Sequence, residues 1–326
     1  MIERGFYFWK SGYLSQDNLS QLKQLNVNKL YVKLFEVDFS ETKGNFPFAK
    51  NDRVLYNLGG LNQTEIVPTI FIKNGIFKSN NTQSLDKLAD NIVFLINKYC
   101  NAAASDFYEN KGINCNEIQI DCDWTKSTKD KYFYLLRKIK EYSNKKISCT
   151  LRLYPYKYSN EMGIPPVDKA TLMCYNLIGP LSKQNKNSIL DIVELKKYLN
   201  ERREYPIHLD IALPTFYWTQ LYRYNRFVKL LDLSPKQVAS FTKNIKPFWY
   251  QVQRDTAIHY NEYLKEGDFL KCEEVNAKTN FEAIQIIKEM VSFDDQTTVN
   301  LFDLDKNTFN HYSYEEINSF YSRFSE

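Results

Sequence analysis

Short apolar runs alternate with longer amphipathic stretches along the whole chain. The runs are rich in Val, Ile, Tyr and Phe and are bounded by clusters of Asn, Gly, Pro or Lys, a pattern typical of buried strands. They predict strands at Gly5–Trp9, Lys29–Val37, Ile66–Ile72, Glu117–Cys122, Lys146–Leu153, Thr171–Tyr175, Pro206–Leu213 and Thr298–Phe302.

The stretches between these runs carry apolar residues at helical spacing. Leu85, Leu88, Ile92 and Leu95 share one face of such a stretch, and Ser84 stands at its N-cap position. The same pattern predicts helices at Ser15–Asn26, Ser84–Tyr99, Thr128–Tyr142, Ile189–Leu199, Phe281–Met290 and Tyr314–Phe324, with a further helix opening at Ser234 and Pro235.

Eight strands separated by helices predict an α/β fold, a (β/α)8 TIM barrel, because this alternation requires parallel strands joined by crossover helices. We expect one elaborated domain over residues 1–326. The segment 219–297 is too long for one barrel helix, so it predicts an insertion of β-hairpin and helix between strands seven and eight, over the barrel mouth. Its hairpin is expected to pair Asp255–Tyr263 with Asp268–Val275.

Composition narrows the class of protein. The chain has 326 residues, with 43% hydrophobic and 25% charged residues, which excludes wholesale disorder. A net charge of +4 is no electrostatic footprint for nucleic acid. Aromatic residues make up 15% of the chain, including 24 tyrosines, more than a core requires. Since ring-lined clefts suit sugars and peptides, this excess predicts a binding groove.

The sequence does not decide whether the protein is cytoplasmic or exported. No apolar run approaches the ~18 residues that predict a membrane-spanning helix. The chain enters its first strand without an apolar signal region, so we expect either a cytoplasmic protein or the mature form of an exported one. Six cysteines lack any CxxC spacing, which argues against zinc, and no cofactor is expected. Cys122, Cys149 and Cys174 fall in strand-like runs, whereas Cys100 and Cys115 flank a polar loop and are candidates for a disulfide in an exported protein.

Carboxylates at predicted strand ends are the sharpest indication of chemistry, because the C-terminal ends of the strands form the functional face of such barrels. Asp121 and Asp123 are two residues apart and are expected to share the interior face. Close carboxylates resist ionising together, which favours an acid/base pair. The alternative is a structural role, with both held by Arg152 and backbone N–H groups. Glu36 and Asp38 form a second pair of this kind, catalytic or simply salt-bridged.

Other polar and aromatic residues near strand ends are candidate contacts for a substrate. Arg152 lies in an apolar strand and needs a carboxylate partner, Asp123 or Glu36, as an ion pair or as a substrate clamp. The aromatic and amide candidates are Trp124, Tyr154, Tyr175, Asn176, Tyr217 and Trp218, of which Tyr175, Tyr217 and Trp218 are a possible sugar-stacking floor. His208, His259 and His311 share no metal-ligand spacing, so no metal site is expected.

The order of these motifs resembles the chitinase-type barrels of glycoside hydrolase family 18. Residues 118–125, Ile-Gln-Ile-Asp-Cys-Asp-Trp-Thr, match its fourth-strand signature Asp-Gly-x-Asp-x-Asp-x-Glu. Residues 173–176, Met-Cys-Tyr-Asn, match its Met-x-Tyr-Asp, and residues 212–217, Ala-Leu-Pro-Thr-Phe-Tyr, approximate its Gly-Leu-Pro-x-Tyr-Gly. The resemblance implies a carbohydrate-active barrel with Asp123 in the position that orients a substrate acetamido group.

Two positions depart from that family. The signature ends on the catalytic acid, a glutamate, where this chain has Thr125, and Asn176 replaces an aspartate. A threonine does not protonate a glycosidic oxygen at neutral pH, so three hypotheses follow. The protein is a glycoside hydrolase with a relocated acid and base among Asp121, Asp123, Glu36 and Asp38; or a barrel that binds a glycan or glycoconjugate without cleaving it; or an interaction subunit that docks a cell-surface protein.

A second resemblance concerns the middle of the chain. Residues 150–154, 163–168 and 172–176 are similar to an uncharacterised group of Bacteroidetes surface lipoproteins. That similarity implies export, lipid anchoring at the outer-membrane surface and a barrel fold with no assigned activity.

Overall fold

The computed structural model describes residues 2–51, 54–55, 58, 61, 63–103, 115–182, 184–259, 262–305 and 308–325. Its strands are β1 (Glu3–Phe8), β2 (Lys29–Ser40), β3 (Gly44–Phe48), β4 (Glu65–Ile72), β5 (Glu117–Asp121), β6 (Lys146–Arg152), β7 (Lys169–Met173), β8 (His208–Pro214), β9 (Tyr217–Arg223), β10 (Arg226–Leu231), β11 (Thr242–Lys246), β12 (Trp249–Val252), β13 (Thr256–His259), β14 (Glu262–Leu264), β15 (Phe269–Glu274) and β16 (Thr298–Phe302).

Eight of these strands close a parallel barrel. Their order is β1-β16-β8-β7-β6-β5-β4-β2, and a further pairing of β1 with β2 completes the circle. Each pairing within the barrel is parallel, while β3 folds back antiparallel on β2. The predicted TIM-barrel fold is confirmed, and the predicted strands match the barrel strands to within a few residues at each end.

The helices are α1 (Gln16–Gln24), α2 (Ile76–Ser79), α3 (Thr82–Ala103), α4 (Lys129–Ser143), α5 (Leu153–Lys157), α6 (Ser159–Met162), α7 (Ile192–Tyr198), α8 (Pro235–Phe241), α9 (Ala277–Met290), α10 (Thr308–His311) and α11 (Tyr314–Ser325). Side chains at the N-caps explain several starting points: Ser15 accepts a hydrogen bond from the N–H of Asn18, and Ser234 forms a capping box with Gln237. Buried residues of α1, α4, α9 and α11 belong to the core around the barrel, whereas Val238 of α8 packs within the insertion.

The insertion is a separate antiparallel sheet rather than the predicted hairpin. Its strands follow the order β10-β9-β15-β12-β11, and β13 pairs with β14 in a small hairpin of its own. The predicted pairing of Asp255–Tyr263 with Asp268–Val275 is therefore wrong. Phe269–Glu274 is buried along most of its length, so β15 takes the central position between β9 and β12. The inserted strands end at Glu274, and α9 is the helix that leads into the last barrel strand.

Two apolar cores hold these parts. The larger one fills the barrel and the space beneath its helices, and a smaller one, which includes Leu221, Val238 and Leu270, lies within the insertion. The six cysteines are buried thiols. Cys100 and Cys115 bring their Sγ atoms to 2.7 Å, so the two thiols face each other, and their disulfide stays a prediction. Within the described residues, none of the helices is long and apolar enough to cross a membrane.

Candidate functional site

A cleft of about 470 Å³ opens at the C-terminal ends of the barrel strands. Residues from or just beyond seven strand ends line it: Trp9, Glu36, Phe71, Asp121, Arg152, Met173 and Phe302. Tyr7, Asp123, Thr150, Tyr175, Asn176, Ile178, Pro180 and Trp218 complete the lining. The cleft therefore lies at the C-terminal face of the barrel, where Glu36, Asp121 and Asp123 converge, three of the four predicted carboxylates.

Asp121 is the buried acid of this cleft. It is the last residue of β5, its surface is only 9% exposed, and the Thr150 hydroxyl on the neighbouring strand donates to its Oδ1 at 2.6 Å. Burial raises the pKa of Asp121 to about 7, and the negative charge of Asp123 adds to this effect. The Thr150 hydrogen bond and the cations Arg152 and Lys33 oppose the increase. At neutral pH this carboxyl group exists in both protonated and ionised forms.

Asp123 is the exposed carboxylate beside it. Its side chain is 53% exposed, and Arg152 Nη1 lies 3.2 Å from its Oδ1. Arg152 Nη2 also donates to the backbone oxygen of Asn176 at 3.1 Å, which ties the ends of β6 and β7 together. Of the two partners predicted for Arg152, the structure selects Asp123. Two carboxyl groups with different environments thus share one cleft, one buried and one open to solvent.

Glu36 of β2 also lines the cleft and pairs with Lys33 on the same strand. Lys33 Nζ lies 2.6 Å from Glu36 Oε1, and it also lies 5.3 Å from the centre of the Trp9 ring. Sequence reasoning missed Lys33, although a lysine within the apolar strand β2 is as unusual as Arg152 within β6. It missed Tyr7 of β1 and Trp9, which follows the end of that strand, as well.

Aromatic rings form the floor of the cleft. Tyr175 stacks on Phe302 with ring centres 5.3 Å apart, and Tyr7 lies 5.6 Å from Phe302 in a tilted arrangement. Tyr7 also donates its hydroxyl to Gln119 at 2.7 Å inside the barrel. The predicted aromatic groove is therefore built from Tyr175 and Trp218, together with rings of the first and last strands.

Four predicted residues lie outside this lining. Asp38 lies in the part of β2 that pairs with β3, where Lys73 Nζ is 2.5 Å from its Oδ2 and lowers the pKa of the Asp38 carboxyl. Trp124 is buried, with its ring stacked on Tyr132 at 5.2 Å. Tyr154 belongs to α5, because β6 ends at Arg152 and the helix begins at the next residue.

Tyr217 and Trp218 separate for a simple geometric reason. They are consecutive residues of β9, and successive side chains of a strand point to opposite faces. Trp218 lines the cleft, whereas Tyr217 lines neighbouring cavities and places its ring 5.8 Å from that of His311. Tyr217 thus lines the adjoining cavity rather than the first cleft, and the stacking role of Tyr175, Tyr217 and Trp218 stays a prediction.

A second cavity of about 600 Å³ continues from the first. Trp9, Asn176, Trp218 and Phe302 line both, so the two cavities form one groove. Asp303 lies in the second cavity, and burial together with the charge of Asp305 raises its pKa to about 6.

Two further predictions concern Thr125 and the metal site. The Thr125 hydroxyl lies 3.1 Å from that of Thr128, at the start of α4, and Thr125 is not among the described residues that line the cleft. Across the described part of the chain, no group of three or more His, Cys, Asp or Glu side chains is arranged to hold a metal ion.

Solved structures resemble this fold at low sequence identity. The spore cortex-lytic enzyme SleL of Bacillus cereus matches with a TM-score of 0.55 and 13% identity, covering 99% of this chain and 74% of that one. A class V chitinase from Pseudomonas fluorescens Pf-5 matches with a TM-score of 0.54 and 10% identity, covering 98% of this chain and 99% of that one. No protein-family model matches the chain, and no curated protein matches it by sequence. The remote resemblance to chitinase-type barrels holds at the level of the fold.

Proposed function

We propose that this protein binds a glycan in the cleft and hydrolyses one of its glycosidic bonds. The observation that carries the proposal is the pairing of a buried carboxyl group, Asp121, with an exposed carboxylate, Asp123, in one aromatic-lined cleft. Glycoside hydrolysis uses two carboxyl groups in different protonation states. The structural likeness to a chitinase and a cortex-lytic enzyme agrees with this proposal at the level of the fold.

Asp121 would serve as the general acid. Its proton passes to the glycosidic oxygen as the bond from that oxygen to the anomeric carbon breaks, so the leaving sugar departs as a neutral alcohol. Asp123 would take a proton from the water that attacks the anomeric carbon, and Glu36 of β2, which lines the same cleft, is the second candidate for this base. The guanidinium of Arg152 holds Asp123 at the edge of the cleft.

This assignment differs from the family that the motifs resemble. There the acid is the last residue of the fourth-strand signature, and Thr125 occupies that position here. The Thr125 hydroxyl lies within hydrogen-bond distance of the Ser127 and Thr128 hydroxyls. The proton donor would therefore be Asp121, four residues earlier, inside the cleft.

Hydrolysis of chitin oligosaccharides by matched variants tests the proposal. Asp121→Asn removes the proton donor while keeping the side-chain size, and we expect turnover to fall by about 100-fold or more. Asp90→Asn, on the exposed face of α3, makes the same chemical change far from the cleft and should leave turnover intact. Full activity of a folded Asp121→Asn protein would contradict the assignment.

Binding without cleavage is the second candidate function. It is favoured by Thr125, which stands where the resembled family has its catalytic acid. The Thr125 hydroxyl contacts the Thr128 hydroxyl and does not line the cleft. In that case chitin oligosaccharides bind the wild type, no product forms after long incubation, and Trp218→Ala weakens binding. Failure to bind any sugar on a glycan array, together with co-purification of a partner, would instead favour the interaction subunit.

A further inference from the structure

One wall of the cleft is not made by the barrel strands. Ile178 and Pro180 belong to the loop after β7, and Trp218 belongs to the insertion sheet. Their positions relative to the catalytic carboxylates therefore depend on whatever joins this loop to the insertion.

One buried carboxylate connects the loop after β7 to the insertion sheet. Glu273 of β15 has no exposed surface, and its Oε2 accepts hydrogen bonds from Trp218 Nε1 and from the Ser188 hydroxyl, both at 2.8 Å. Its Oε1 accepts from the Ser188 backbone N–H at 2.6 Å and lies 3.0 Å from Lys271 Nζ. Four donors converge on one side chain, and an ionised carboxylate has the acceptor capacity for all of them.

Two neighbouring contacts also join the insertion sheet to the loop after β7. Lys271 is also fully buried, and its Nζ donates to the backbone oxygen of Ser182 at 2.9 Å. Gln220 of β9 donates to the backbone oxygen of Pro180 at 2.9 Å. The insertion sheet thus holds the loop after β7 at three points along its length, and Glu273 is the point that also holds the Trp218 ring.

We propose that Glu273 is a positioning residue that fixes the Trp218 indole and the loop after β7 as one rigid wall of the glycan cleft. The expected effect on sugar binding rests on the proposed function, whereas the positioning of Trp218 by Glu273 does not depend on it. Glu273 is not among the described residues that line the cleft, so it acts on a ligand through Trp218. A ring held by its N–H is pre-organised for stacking, because the ligand does not have to order it.

The first test reads the indole directly. Trp218 is one of four tryptophans, and Trp218→Phe assigns its N–H resonance in an ¹H–¹⁵N NMR spectrum. Glu273→Gln replaces one acceptor oxygen with an NH₂ group, and the Trp218 resonance should move upfield as it loses a charged acceptor. Glu273→Asp is the alternative variant if the glutamine variant does not fold. It keeps the charge for Lys271 but shortens the side chain, so it should shift the same Trp218 resonance. An unchanged Trp218 resonance in a folded variant would overturn the proposal.

The second test is a double-mutant cycle on binding of a chitin oligosaccharide. Glu273→Gln should raise Kd or KM about tenfold, the size expected from losing a hydrogen bond to a charged group, with little change in kcat. In the Trp218→Phe background, the same change should add almost nothing, because its effect passes through the indole. Equal losses in both backgrounds would overturn the proposal and leave Glu273 as a purely structural residue.

The two tests separate this proposal from the proposed function. If the wild type binds and cleaves no oligosaccharide, the proposed function fails, while the NMR shift still decides whether Glu273 orients Trp218. If the wild type is active and the resonance does not respond to Glu273, the positioning role alone fails.

Discussion

Asp121 combines two properties at one residue, since it is buried and yet lines an open cleft. Desolvation disfavours its ionised form, and Thr150, Arg152 and Lys33 limit that effect, so the balance sets the pKa of Asp121 at about 7. A carboxyl group of this kind still carries its proton at the pH where most carboxylates have lost theirs. This property suits the role of proton donor that the proposed hydrolysis assigns to Asp121.

A pH profile tests that role at the level of the residue. With Asp121 as the acid, kcat/KM should fall about tenfold for each pH unit above pH 7, because the required protonated form disappears. The Thr150 hydroxyl lowers the pKa of Asp121, so Thr150→Val should move this limb of the profile to higher pH. Thr150→Ser keeps the hydroxyl and should keep the limb near its wild-type position. A limb that does not respond to Thr150→Val would assign the titration to another group.

Individual residues also show where reasoning from the sequence is reliable. Asp121, Asp123 and Arg152 were predicted to be close, and the structure brings all three to one cleft because parallel strands end at the same edge. Trp124, Tyr154 and Tyr217 were predicted from their proximity to strand ends alone. Each lies outside the first cleft: Trp124 follows the end of β5 and stacks on Tyr132, Tyr154 lies in α5, and Tyr217 lines the adjoining cavity.

Strand β7 begins with a lysine that forms two buried ion pairs at the N-terminal ends of the barrel strands, away from the cleft. Lys169, its first residue, lies 3.0 Å from Glu117 of β5 and 2.7 Å from Asp210 of β8. Burial raises the pKa of Asp210, but the Lys169 charge and hydrogen bonds outweigh it and lower that pKa to about 2. One lysine thus pairs with two buried carboxylates, one on the neighbouring strand β8 and one on β5, two strands away on the other side.

Replacing this lysine should destabilise the barrel strongly. Lys169→Met leaves Glu117 and Asp210 buried without their cation, and we expect a loss of about 3–5 kcal/mol in the free energy of unfolding. Lys126→Met breaks the exposed ion pair with Glu161 and should cost at most about 1 kcal/mol. Urea denaturation of both variants near neutral pH measures the difference. Equal small losses would show that the strand network contributes little to stability.

The insertion illustrates what element-level patterns leave out. Of its strands, only the runs Asp255–Tyr263 and Asp268–Val275 were recognised from the sequence, and β9 to β12 were not predicted, whereas the helix opening at Ser234 was predicted correctly. The pairing was wrong because a strand run does not specify its neighbours, and β15 finds partners on both sides once the sheet assembles. The same central position places Glu273 opposite Trp218 in the register.

At the scale of the whole molecule, the fold depends on closure of the barrel by its first and last strands. Gly5 of β1 lies opposite Asn300 of β16, and both pack in the interior. A Cβ atom at Gly5 would meet the Asn300 Oδ1 at 1.9 Å, so only glycine fits this close approach between the strands.

A methyl group at this position tests closure. Gly5→Ala forces Asn300 or the strand to move, and we expect a loss of about 1–3 kcal/mol or more in the free energy of unfolding. Gly75→Ala is the matched control, because nothing lies within 4 Å of a Cβ there and Gly75 has φ of −57°. It should stay within about 0.5 kcal/mol of the wild type. Indistinguishable urea midpoints for the two variants would contradict the role of Gly5.

The sequence by itself predicted the barrel, its eight strands and its longer helices, and the meeting of Asp121, Asp123 and Arg152, whereas β3, most of the inserted strands and the short helices were not predicted. The predicted features follow from local periodicity and from the rule that parallel strands share one C-terminal edge. The tertiary structure alone decided that Asp121 is buried with a pKa of about 7, that Lys33 pairs with Glu36, and that Glu273 holds Trp218. Desolvation, register and partner choice arise from residues far apart in the chain, and no local pattern encodes them.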